Sequence, residues 1–224
     1  MTVHTPIEET DPFVLGALDA AALIHDAPWT RFGVIGDSLA LGTSDPSPGY
    51  GPEGWPERVA GVLRRVRPDL VYLNIAKYGA TTTEVLDDQA ERIRAFAPEL
   101  LHLNSGANDI MRRTPDFGEI EANLRRLYEF AARTGAQLST IQLGRAFVIP
   151  AFPDFTERVR RVNEINARLA TEYDALIADT WDHPFNDRPN LLSADRIHFS
   201  TSGQAVIATE MFKAMAHRLA RARG

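Results

Sequence analysis

Arg31-Phe32-Gly33-Val34-Ile35-Gly36-Asp37-Ser38 is the stretch that decides the fold, because a short apolar run ends there in a glycine and two polar residues. Arg31 to Ile35 reads as a buried strand, and Gly36-Asp37-Ser38 as the turn leaving its carboxyl end. Toward the amino terminus, Asp26-Ala27-Pro28 separates this strand from an amphipathic helix that Pro12 initiates and that is expected to run from Phe13 to about Ile24. Toward the carboxyl terminus, a Gly/Pro/Ser-rich loop from Gly42 to Gly54 precedes a helical pattern from Trp55 to about Arg65, which stops before Arg67-Pro68.

The same alternation continues to the end of the chain. Further strands are expected at Leu70 to Ile75, Leu100 to Leu103, Gln137 to Leu143 and Ala175 to Ala178. A helix from about Thr83 to Phe96 has Val85, Leu86, Ile93 and Phe96 as its apolar stripe, and Pro98 closes it. Thr114-Pro115 opens the next, with Ile120, Leu124, Leu127 and Tyr128 at helical spacing and a stop at Thr134-Gly135. Helices from about Phe155 to Tyr173 and Gly203 to Ala220 complete the series. Such helices join parallel strands by right-handed crossovers, because a hairpin cannot join parallel neighbours. The expected fold is α/β, a three-layer α/β/α sandwich on a central parallel sheet of five strands. Residues 31–224 are expected to form its one domain, and residues 1–30 an extension whose helix packs on it.

Charge and composition narrow the function classes. The chain has 224 residues, 44% hydrophobic and 24% charged, with a net charge of -6. That balance is typical of a soluble globular protein and repels nucleic acid phosphates, so nucleic acid is not an expected partner. The basic clusters Arg64-Arg65-Val66-Arg67 and Arg218 to Arg223 fall at helix ends, where cations favourably meet the helix dipole. There is no cysteine, which rules out disulfides and thiolate metal sites. No run approaches the roughly 20 apolar residues of a membrane span. No Lys or Arg precedes Arg31, where an export signal would carry positive charge, so a cytoplasmic location is expected.

In an open parallel sheet, ligands bind beyond the carboxyl ends of the strands. Gly36-Asp37-Ser38, Lys77-Tyr78-Gly79 and Gly106-Ala107-Asn108-Asp109 leave those ends in turn. Ser38 is a candidate nucleophile; its alternative is helix capping. A hydroxyl needs a base and an orienter for that base, and Asp195-Arg196-Ile197-His198 places a carboxylate three residues before an imidazole. That spacing turns both side chains the same way if the segment forms a helical turn, although a surface Asp/His pair has the same spacing. Gly79 and Asn108, with the Ser38 amide, are candidate donors to an oxyanion; the alternatives are a glycine serving a positive φ and a helix cap.

Taken together, these blocks are specific. Gly36-Asp37-Ser38-Leu39, Gly79, Gly106-Ala107-Asn108-Asp109 and Asp195-Arg196-Ile197-His198 resemble, in order, the first, second, third and fifth blocks of the SGNH, or GDSL, hydrolases. The resemblance covers most of the chain after Arg31. It implies a flavodoxin-like sandwich with Ser38 as nucleophile, His198 as base, Asp195 as its orienter, Ser38, Gly79 and Asn108 as the oxyanion hole, and neither metal nor organic cofactor. Asp37 would serve the turn structurally. The chain departs from the family in two places: Phe199 follows His198 where proline is frequent, and the large Lys77 and Tyr78 precede Gly79 where small residues are usual.

The expected reaction is therefore hydrolysis of a small-molecule carboxylic ester through an acyl-enzyme. Acyl transfer to an alcohol or amine by the same residues, and a non-catalytic ligand-binding module of the same fold, are the alternatives. Gly-x-Ser-x-Gly is absent, because Ala40 stands at its second glycine, which disfavours the α/β-hydrolase arrangement. Asp179, Asp182, His183, Asp187, Asp195 and His198 cluster in sequence without a recognised metal-ligand spacing, so no metal is expected. Tyr50 in the loop after Ser38, Phe147 and Phe152 in the apolar stretch after the fourth strand, and Lys77 beside Gly79 are candidate substrate contacts. Lys77 would attract an anionic acyl or leaving group.

Overall fold

The computed structural model describes residues 7–223; residues 1–6 of the N-terminal extension and Gly224 lie outside the described residues. Two short helices, α1 (Ile7–Thr10) and α2 (Ala17–Leu23), lead into β1 (Arg31–Gly36). Then follow α3 (Ser38–Leu41), α4 (Trp55–Val66), β2 (Val71–Asn74), α5 (Thr82–Phe96), β3 (Leu100–Asn104) and α6 (Phe117–Ala132). The chain finishes with β4 (Gln137–Gln142), α7 (Phe155–Glu172), β5 (Leu176–Asp179) and α8 (Thr201–Arg223). Short 3₁₀ turns occupy Asp109–Met111 and Pro184–Asp187.

The five strands are all parallel and lie in the order β2-β1-β3-β4-β5. That is the flavodoxin-like order, whose switch point lies between the first and third strands. Helices α2, α4 and α8 pack together on one face, and α5, α6 and α7 on the other. Strand β3 is buried along its whole length, as expected of the centre of a sheet covered on both sides. One polar side chain there is His102, whose Nδ1 lies 3.2 Å from the Ser139 hydroxyl and whose ring meets Trp55 edge-on at 4.5 Å.

Two elements differ from the sequence pattern, each because side-chain oxygens take up backbone amides at or before the start of the helix. The helix expected from Phe13 to Ile24 forms only at Ala17–Leu23. The Asp11 carboxylate accepts the Phe13 amide, and the Thr209 hydroxyl of α8 accepts the Leu15 amide, which holds the preceding turn out of the helix. Helix α6 likewise starts at Phe117, not Thr114, because Asp116 caps the amides of Gly118 and Glu119.

The segment before β1 is fastened to the carboxyl half of the chain. Asp11 accepts two bonds from the Arg188 guanidinium, at 2.6 and 2.7 Å, and one from the Tyr50 hydroxyl at 2.7 Å. Glu8 pairs with Arg58 of α4, and Ala20 and Ile24 are fully buried. Among the described residues no helix is long and apolar enough to cross a membrane.

Candidate active site

Ser38 stands where the fold places a ligand, on the first turn after β1 at the switch point. The chain reverses sharply there, and Gly36 permits it: at φ +142 its hypothetical Cβ would sit 2.0 Å from the Asn104 carbonyl oxygen. Asp37 caps the short helix α3 by accepting the Leu39 amide at 3.0 Å, which leaves Ser38 as the first helical residue. Trp55 supports α3 from below, its indole N–H donating to the Leu39 carbonyl at 2.9 Å.

The Ser38 Oγ lies 2.8 Å from His198 Nε2, and His198 Nδ1 lies 2.6 Å from Asp195 Oδ2. The Asp195–His198 segment is not the helical turn that its spacing suggested. Arg196 takes a left-handed φ of +59, and the other Asp195 oxygen accepts the amides of Ile197 at 2.9 Å and His198 at 3.0 Å. One carboxylate therefore shapes the loop with one oxygen and orients the imidazole with the other. Partial burial pushes the Asp195 carboxyl up, but the His198 ring and these two amides outweigh it and hold the group below its ordinary value. It remains ionised at neutral pH.

The loop carrying His198 is clamped by the one that follows Ser38. The Asp45 carboxylate accepts the Ala194 amide at 2.9 Å, the Asp45 amide donates to the Ser193 hydroxyl at 2.8 Å, and the Asp45 carbonyl accepts the Thr201 amide at 2.9 Å. Neither Asp45 nor Ser193 stood out in the sequence. Their signal was an acidic residue and a serine in turn-rich stretches, which many loops share.

After β2, Lys77 to Ala80 form a tight turn in which the Ala80 amide donates to the Lys77 carbonyl at 3.2 Å and Gly79 adopts φ +76. Neither the Ser38 nor the Gly79 amide finds a protein acceptor among the described residues. Asn108 joins this turn to the third loop, donating one Nδ2 hydrogen to the Ala80 carbonyl at 3.0 Å and keeping the other free. Asp109 fixes the same junction by accepting the amide and hydroxyl of Thr82, at 3.0 and 2.8 Å. Arg158 of α7 caps the far end of the loop, donating to the carbonyls of Ile110 and Arg112.

The residues expected at the substrate face are placed as follows. The hydroxyl of Tyr50 is engaged by Asp11, away from Ser38 in its bonding. Phe147 turns inward, 3% exposed, against Phe199 at 5.2 Å, so it packs beneath the His198 loop instead of forming an open wall. Phe152 is half-buried under the Arg158 guanidinium, 4.9 Å from its ring centre. Lys77 points into solvent and pairs with Asp88 at 3.1 Å. The acidic and histidine cluster near the carboxyl end is dispersed: His183 faces Glu210, Asp187 pairs with Arg145, and Asp195 holds His198.

Two buried titratable groups near the site make opposite demands on pH. Burial pushes the Asp37 carboxyl up from 3.8 to about 7, and the nearby Asp109 adds to the rise. Burial alone takes His102 down from 6.5 to about 3. The raised Asp37 contributes stability that is complete at low pH and lost as pH climbs toward about 7; the depressed His102 contributes stability that is complete above about 6.5 and lost as pH falls. The two trends run in opposite directions across mildly acidic pH and so balance each other there. Asp37→Asn is expected to remove one side of that balance. Urea unfolding of the variant should show stability rising with pH through this window relative to wild type, and parallel curves would contradict the balance.

Residues 34–206 match the model of the GDSL-like Lipase/Acylhydrolase family. No curated protein matches the chain. An acetylxylan esterase from Geobacillus stearothermophilus superimposes with a TM-score of 0.67 at 21% identity, over 83% of this chain and 94% of that one. An alpha/beta hydrolase enzyme from the metagenome of Lake Arreo, Spain, gives 0.67 at 22%, over the same shares. The lipase/acylhydrolase of Enterococcus faecalis gives 0.64 at 16%, over 84% of this chain and 96% of that one. These likenesses establish a shared fold, and the family match, which spans most of the sequence, shows that the chain belongs to the GDSL-like lipase/acylhydrolase family.

Proposed function

We propose that the chain hydrolyses a small carboxylic ester through an acyl-enzyme carried on Ser38. The observation that carries this reading is the continuous relay from Ser38 Oγ through His198 to Asp195, at 2.8 and 2.6 Å. In acylation, His198 Nε2 takes the hydroxyl proton as Oγ attacks the ester carbonyl, and Asp195 stabilises the imidazolium that forms. The negative charge that develops on the carbonyl oxygen is met by the Ser38 and Gly79 amides and the free Asn108 Nδ2 hydrogen. His198 then returns its proton to the leaving alcohol. A water molecule repeats the sequence on the acyl-enzyme, releasing the acid and restoring Ser38.

A fluorophosphonate label located by peptide mass spectrometry tests the assignment. The label is expected on Ser38 and absent from Ser38→Ala. Stable labelling of a different serine would overturn it.

A further inference from the structure

We propose that Tyr78 is a specificity residue for the leaving group, its exposed ring serving as the platform on which a ring-bearing alcohol half of the ester rests. Tyr78 is 63% exposed, and among the described residues it is the one aromatic in the set of large hydrophobic side chains that are mostly exposed and not half-buried. An aromatic face left open to water at such a place favours a ligand that covers it. Its ring centre lies 5.3 Å from that of His198, tilted by 33°. The turn that carries the ring is fixed by its backbone: the Lys77 amide donates to the Gly36 carbonyl at 3.1 Å, the Ala80 amide closes the turn, and Gly79 follows at positive φ. Tyr78 is thus tied to the same strand end that presents the nucleophile.

The chemistry then says which half of the substrate meets this ring. His198 Nε2 takes the proton from Ser38 and must give it to the departing oxygen, so that oxygen lies on the imidazole side of the tetrahedral carbon. The alcohol half lies beside the ring that flanks the imidazole, while the carbonyl oxygen is directed to Gly79 and Asn108. A flat aromatic alcohol stacks on such a face, and a saturated ring presents C–H groups to it. Once the alcohol has left, the acyl group on Ser38 offers Tyr78 nothing to hold. The ring therefore acts on acylation and not on deacylation.

This inference rests on the acyl-enzyme reading above, and the test separates the two. Wild type, Tyr78→Ala and Tyr78→Phe are compared on phenyl, cyclohexyl and ethyl acetate, which share one acyl group, and deacylation of the acetyl-enzyme is followed by stopped-flow. Tyr78→Ala is expected to lower kcat/KM for the ring esters by about 3- to 10-fold, the range of one aromatic contact, with a smaller loss on ethyl acetate and the smallest on deacylation. Tyr78→Phe should restore the ring esters. A loss confined to phenyl acetate assigns aromatic alcohols, and a loss on both assigns ring alcohols in general. Equal losses on all three esters with a matching loss in deacylation would show that the ring only steadies His198, and no loss on the ring esters would equally overturn the proposal. Failure of the acyl-enzyme reading itself has a different signature, turnover retained by Ser38→Ala whatever Tyr78 does.

Discussion

His198→Ala is expected to reduce ester turnover by about 10⁴- to 10⁶-fold, since loss of the nucleophile or base from such a cooperative site removes most of the rate that the site supplies. The imidazole is the only group within hydrogen-bonding distance of the Ser38 hydroxyl among the described residues, and without it the serine keeps its proton. The effect should be chemical and not structural. Asp195 shapes the loop through the amides of Ile197 and His198, and Asp45 clamps it through Ala194; alanine keeps all of these backbone bonds. Steady-state kinetics beside a thermal unfolding curve separates the two. Near-complete loss of turnover in a variant that still unfolds cooperatively is the expected result.

Asn108→Ala has the second largest expected effect, a fall of about 10²- to 10³-fold in kcat with KM little changed. The side chain would meet the substrate oxygen most strongly when that oxygen carries charge, so its loss falls on the transition state. It also donates to the Ala80 carbonyl, and losing that bond costs about 1 kcal/mol of stability. Urea unfolding measures this smaller term independently. If KM rose while kcat held, Asn108 would belong to ground-state binding instead.

The layers of the fold were legible because strand and helix signals alternate, and parallel strands then follow from the length of the crossovers. The order β2-β1-β3-β4-β5 does not follow from alternation; the motif resemblance implied it. Where the sequence misled, side-chain bonds to backbone amides had overridden the spacing of residue types. Thr209 and Asp11 hold the Phe13 to Gly16 stretch out of the helix that its apolar spacing suggested. The Asp195–His198 spacing suggested a helical turn, whereas an Asx-type turn with Arg196 in the left-handed region brings the two side chains together.

The least legible features were those that hold the site in place. Asp45 contacts Ser193 across 148 residues of chain, and no local pattern predicts which loop meets which. Phe147 looked like an exposed apolar wall because it lies in a connection, yet it completes the core under Phe199, the residue that stands where the family frequently has proline. Tyr78 was visible only as a departure from the family pattern. Its exposure and its place beside His198 give that departure a physical meaning.

The most direct measurement is an acid quench of the wild type during turnover of an acetate ester, followed by mass spectrometry of the peptides. The mechanism predicts one acetyl group on the peptide that contains Ser38, and none on the same peptide of Ser38→Ala. An acetyl group on another residue, or wild-type turnover by Ser38→Ala, would contradict it.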